Sequence, residues 1–93
     1  ERRKLAINGQ ISVAVAIGSR GLIGTPQVRI QGIPVEEDRD PFLEETVDAV
    51  IAAAKQNGRD REKLRENIRL AALKVATRWT GKKPNVDVLL IEA

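Results

Sequence analysis

Ninety-three residues with a net charge of +3, 42% of them hydrophobic and 31% charged, describe one small folded domain rather than a disordered chain. A chain of this length buries roughly 60 to 65% of its unfolded surface, which leaves little room for a deep active-site cleft. With neither Cys nor His in the sequence, a disulfide framework, a conventional zinc site and a histidine general base are all excluded.

The opening stretch "ERRKLAINGQ" does not resemble a secretory signal, and the longest apolar run falls far short of the ~20 residues that span a bilayer. The chain therefore reads as a soluble, cytoplasmic segment, excised from a larger protein or processed, forming a single domain over 1–93. "AINGQISVAVAIGS" alternates with a period of two. Ile7, Ile11, Val13, Val15 and Ile17 share one side, and the small residues Ser12, Ala14 and Ala16 share the other, so a strand is predicted at about 6–17. "GSRGLIGTP" has the glycines and proline of a reversal. A second strand follows at about 27–33, with Val28 and Ile30 facing away from Gln27, Arg29 and Gln31.

Asp40 as N-cap and Pro41 at the first turn predict a helix over about 41–57. Its apolar stripe is Leu43, Val47, Val50, Ile51 and Ala54, and Gly58 is the terminating cap. Asp60 caps a second helix, about 60–80, in which Leu64, Ile68, Ala71, Ala72, Val75 and Trp79 keep helical spacing before Gly81 and Pro84 stop it. The first helix is acidic and the second basic, a pattern of mutual attraction or solvated faces more than of a nucleic-acid surface. Trp79 lies in register with the apolar stripe. It reads as a plug between the basic helix and the last strand, with an indole N–H that needs one partner; a base-stacking platform is the other reading, but it would call for more aromatics than Phe42 alone adds.

The final strand, about 85–92, is apolar on both sides, with Val86, Val88 and Leu90 opposite Leu89 and Ile91. The order β-β-α-α-β predicts an α+β fold of two layers, a three-stranded sheet with both helices on one face. A strand greasy on both sides calls for cover on both, and the helices cover only one. The open face, with Ser12, Ala14, Ala16, Leu89 and Ile91, is thus a candidate interface; surface apolars that need no cover, or a strand twist that carries them under the helices, are the competing reading. Arg2, Arg3, Lys82 and Lys83 are candidate phosphate contacts if they meet at one edge of the sheet, against ordinary solubilising charge.

Catalytic motifs fail on inspection. "GSRGLIG" lacks both the dinucleotide fingerprint and the GK[ST] ending of a P-loop, and "TGKKP" sits at a helix C-terminus, where the dipole repels phosphate. The acids Glu36, Glu37, Asp38 and Asp40 lack calcium-loop spacing, and no Ser or Thr has a base to activate it. No catalytic or metal-binding residue is assigned.

Together "ERRKLAINGQISVAVAI", "DPFLEETVDAVIAA", "REKLRENIRLAALKVATRWTGKKP" and "VDVLLIEA" resemble the C-terminal domain of bacterial ribonuclease J. The order of elements, "RRKL" before the first strand and "W-x-G-K-K-P" before the last carry the resemblance. It implies a parent enzyme with a metallo-β-lactamase core and a β-CASP domain. That parent cleaves RNA 5′-to-3′ and internally with a two-metal site, usually zinc, whose motifs are absent here. For this segment it implies a non-catalytic role without a cofactor: supporting a homo-oligomer, docking on the catalytic domain of the same chain, or holding RNA. Neither a membrane nor DNA is an expected partner.

Overall fold

The computed structural model describes residues 9–19, 21–33, 38–56 and 60–92. They form β1 (Gln10–Gly18), β2 (Gly21–Gln31), α1 (Arg39–Gln56), α2 (Arg61–Thr80) and β3 (Asn85–Glu92). The sheet order is β2-β1-β3, with β1 antiparallel to β2 and parallel to β3. The α+β architecture is the expected one: three strands, two helices, order β-β-α-α-β.

Ile11, Val13, Val15 and Ile17 of β1 are at most 3% exposed and form the floor of the core. Ile30 of β2 and Val86 of β3 extend that floor on either side. α1 packs over β2 and α2 over β3, and the two helices pack against each other. Both thus cover one face of the sheet, the arrangement that a strand bulky on one side and small on the other requires.

α2 is delimited as its ends dictate. The Asp60 carboxylate accepts from the backbone N–H groups of Glu62 and Lys63 at 3.1 and 3.2 Å, which satisfies donors that a helix start leaves over. At the other end Gly81 takes φ 75°, and its N–H donates to the Thr77 carbonyl at 2.7 Å. That left-handed conformation favours glycine.

Two elements depart from expectation. α1 begins at Arg39, so Asp40 lies in the first turn and not at the cap. The Phe42 N–H donates to the Asp38 carbonyl, and Pro41 falls within the first turn, where its missing donor costs nothing. The buried stripe of α1 is rotated as well. Phe42, Thr46, Val50, Ala53 and Ala54 are buried, while Leu43, Val47 and Ile51 are half-buried. Thr46 tolerates burial because its hydroxyl donates to the Phe42 carbonyl at 2.8 Å.

β2 begins at Gly21 and takes in much of the expected loop. Pairing runs from Ala14↔Gln27 to Ala16↔Ile23, so β2 spends two more residues than β1 across this irregularity. Pro26, which has no N–H to give, lies in that stretch, and Gly24 takes φ 67° there. Such a break lets a strand hold proline and glycine without ending. The expected start of β1 before Gly9 and the expected Gly58 cap lie outside the described residues.

Candidate functional site

The open face of the sheet is a set of four rows, each three residues wide, fixed by the pairing of both outer strands to β1. From the start of β1 they are Gln31–Gln10–Asn85, Arg29–Ser12–Asp87, Gln27–Ala14–Leu89 and Ile23–Ala16–Ile91. Since paired residues on neighbouring strands point to the same side, the face grades from polar to apolar along the strands.

The apolar end is built from large residues on the flanks and small ones in the centre. Leu89 is 60%, Ile91 49% and Ile23 48% exposed, with Ala14 and Ala16 between them. Ala in the middle strand keeps the centre low, so the flanking side chains stand above it. A shallow depression over the middle of the sheet is lined by Ser12, Ala14, Gln27, Arg29, Asp87 and Leu89. The polar end is tied together: Asn85 Nδ2 donates to Gln10 Oε1 at 2.8 Å, and Gln10 Nε2 donates to Asp87 Oδ2 at 2.9 Å.

All five interface candidates therefore lie on one face. Ser12 belongs to the charged row and the other four to the apolar rows. The sequence reading missed Ile23, whose setting among Gly21, Gly24 and Pro26 disguised strand as loop. The signal available was the apolar pair Leu22–Ile23, one member of which had to face away from the core.

The candidate phosphate contacts divide. Lys82 and Lys83 are exposed in the turn between α2 and β3. Asn85 N–H donates to the Gly9 carbonyl at 3.0 Å, which sets the start of β3 beside the start of β1. Arg2 and Arg3 lie outside the described residues, so no cluster with Lys82 and Lys83 is established.

Trp79 is half-buried against the core, and its anchors are on α1. Its ring meets Phe42 edge-on, with centroids 5.6 Å apart and planes at 77°, and its Nε1–H donates to Glu45 Oε1 at 2.9 Å. Glu45 also pairs with Arg78. One acid of the acidic helix thus holds two neighbouring residues of the basic helix. These contacts describe a clamp between the helices, where the sequence reading had placed a plug toward the last strand. Beside it, Ala49, Ala52 and Leu70 line a groove between the helices, rimmed by Asp48, Lys74 and Arg78.

Glu66 and Arg69 form an ion pair on α2. Two hydrogen bonds, at 3.0 and 2.6 Å, hold the Glu66 carboxyl below its ordinary value and the Arg69 guanidinium above its own. Both are solvated, so the pair is a surface feature of the helix.

The donor set for the two zinc ions that the resemblance implies is not here. The chain has no His or Cys, and among the described residues no three acidic side chains converge as metal ligands. Among those residues, also, no helix is long and apolar enough to cross a membrane.

A family model described as Ribonuclease J C-terminal domain matches residues 1–93. A ribonuclease J from Sinorhizobium meliloti is 36% identical over 96 residues, covering 97% of this chain and 17% of that relative. The chain thus spans about one sixth of the length of the relative it matches.

Proposed function

The chain belongs to the ribonuclease J C-terminal domain family, and from that membership we propose that it is a non-catalytic accessory domain whose open sheet face mediates assembly. The observation that carries this reading is the exposed apolar end of that face, Ile23, Leu89 and Ile91 around Ala14 and Ala16. Three large apolar side chains grouped on a flat surface lower their free energy when covered, by about 25 cal/mol per Å² removed from water. The parent protein, on this proposal, is a cytoplasmic metal-dependent ribonuclease, and its zinc ligands and reacting groups lie in other domains. This domain contributes to holding subunits together.

Sedimentation equilibrium over a wide concentration range tests the reading, with an Ala14→Arg, Leu89→Arg variant alongside. Self-association that is lost in a variant with unchanged circular dichroism supports it. A monomer at every concentration, or a variant that still associates, overturns it.

A second reading rests on Lys82 and Lys83, exposed at the end of the sheet where β1 also starts. RNA held there would bind with an affinity that falls steeply with salt, and Lys82→Ala with Lys83→Ala would reduce the salt slope by up to about 1 to 2. An affinity unchanged in that variant removes this reading.

A further inference from the structure

Apart from the sheet face, we infer that the groove between α1 and α2 is a docking site for a short amphipathic helix of a separate protein, which lays a basic flank along α1 and an acidic flank along α2. Four large apolar side chains stay exposed among the described residues. Ile23, Leu89 and Ile91 share the open sheet face, whereas Leu70 stands on the helix layer at 46% exposure. It borders a groove of about 600 Å³ lined by the small side chains of Ala49, Ala52, Ala53 and Ala71. Small side chains on two packed helices keep the space between them low and let a third helix approach closely.

The occupant is a helix because of what the walls lack. Both walls are helices whose backbone hydrogen bonds are satisfied internally, so an extended segment laid on them would bury its own N–H and C=O groups without partners. A helix satisfies those groups itself and presents only side chains. The lined stretch runs from Glu45 to Ala53 on α1 and from Asn67 to Arg78 on α2, which at about 1.5 Å per residue is roughly 12 and 17 Å, or two to three turns. That is the footprint of one helical segment and not of a domain face.

The charges give the flanks. Glu45 pairs with Arg78 and closes one end of the groove. One turn further along each helix, Asp48 on α1 and Lys74 on α2 line opposite walls, and neither has an ion-pair partner among the described residues. An occupant with bases over Asp48 and acids over Lys74 completes both pairs. Since turning a helix end for end exchanges its flanks, the same two charges also fix the direction in which such a segment lies.

The probe is a synthetic peptide of about 20 residues, long enough to hold a helix, with a stripe of leucine and alanine, lysines along one flank and glutamates along the other. Trp79 reports its binding, because it is the chain's only tryptophan and its indole donates to Glu45 at the closed end of the groove. A saturable fluorescence titration is expected. Ala52→Arg, which plants a long charged side chain at an exposed helical position, should lower affinity at least about tenfold, and Leu70→Glu carries the same test if that variant unfolds. Asp48→Lys gives both walls a free base, so it should weaken this peptide about fivefold and strengthen a peptide with glutamates on both flanks by about as much. Ala14→Arg with Leu89→Arg should bind the first peptide as the wild-type chain does, which separates this site from the sheet face whether or not that face associates.

No saturable binding up to about 1 mM, an affinity unchanged in Ala52→Arg, or a flank preference that Asp48→Lys does not move overturns the docking site. Loss of binding in a folded Ala14→Arg, Leu89→Arg variant overturns it too, by placing the peptide on the sheet. A peptide that binds this chain but not the full-length protein containing it shows the groove filled by a helix of the same polypeptide, and overturns the separate partner.

Discussion

The two faces of β1 are made from alternate residues of one nine-residue strand, yet they solve different problems. On the helix side Ile11, Val13, Val15 and Ile17 fill the space beneath α1 and α2 and are at most 3% exposed. On the open side Ser12, Ala14 and Ala16 fill nothing, and the bulk is supplied by Ile23, Leu89 and Ile91 on the flanks. A core face needs volume at its centre to reach native packing density. A docking face needs a centre low enough for another surface to approach. The difference separates residues that hold the domain together from residues that are free to hold something else.

The largest effect that sharpens this contrast is on the helix side. Ile68 of α2 is fully buried, and Ile68→Ala removes three methyl or methylene groups from a packed site, at a cost of about 3 kcal/mol. In a domain of this size that lowers the melting temperature by about 12 to 24 °C. Ile91→Ala, the same chemical change on the open face, is expected to alter stability by less than about 0.5 kcal/mol while weakening self-association. Thermal melts and sedimentation of both variants break the comparison if Ile91→Ala proves as costly to folding as Ile68→Ala.

Smaller is the effect of Trp79→Phe. It leaves an aromatic ring beside Phe42 but removes the N–H that Glu45 accepts, and a hydrogen bond to a charged group is worth about 1.5 to 3 kcal/mol. Arg78 remains paired with Glu45 and the site is half-exposed, which brings the expected loss to about 1 kcal/mol. The clamp lies in the helix layer, so association through the sheet face should be unchanged in urea-free buffer. A Trp79→Phe variant that keeps its stability but loses association would place the interface on the helices, in the groove lined by Ala49, Ala52 and Leu70.

How much of this was legible depended on whether the information was local. The period of two in "ISVAVAI" and the Asp60 and Gly81 caps are properties of neighbouring residues, and they fixed the core side of β1 and the ends of α2. The open-face residues Ala14, Ala16, Leu89 and Ile91 followed from the same alternation. Ile23 did not, because its place depends on a two-residue offset between strands around Pro26, and single-strand periodicity carries no record of pairing. The rotated stripe of α1 was hidden for a related reason. Thr46 reads as polar until its hydroxyl is seen to be satisfied by Phe42 one turn back. The Glu45, Arg78 and Trp79 contacts join residues more than thirty positions apart, and the net charges of the two helices announced attraction without naming its members.

The smallest expected effect belongs to neither face. Glu66 and Arg69 are one turn apart on the solvent side of α2, and the hydrogen bonds from Arg69 lower the Glu66 carboxyl. A carboxyl lowered in the folded state stabilises folding above its unfolded value, and that contribution is lost as pH falls through the folded one. Glu66→Gln should therefore lower the neutral-pH melt slightly and flatten the acid limb, the difference from the wild-type chain fading as pH falls through and below the ordinary carboxylate range. The pair is solvated, so added salt should shrink even this difference. Association should not change, because Glu66 lies on the helix layer, away from the open sheet face. A shift in the dimer equilibrium on Glu66→Gln would show that the outer surface of α2 takes part in assembly, and the division of labour between the two faces of the sheet would then have to be redrawn.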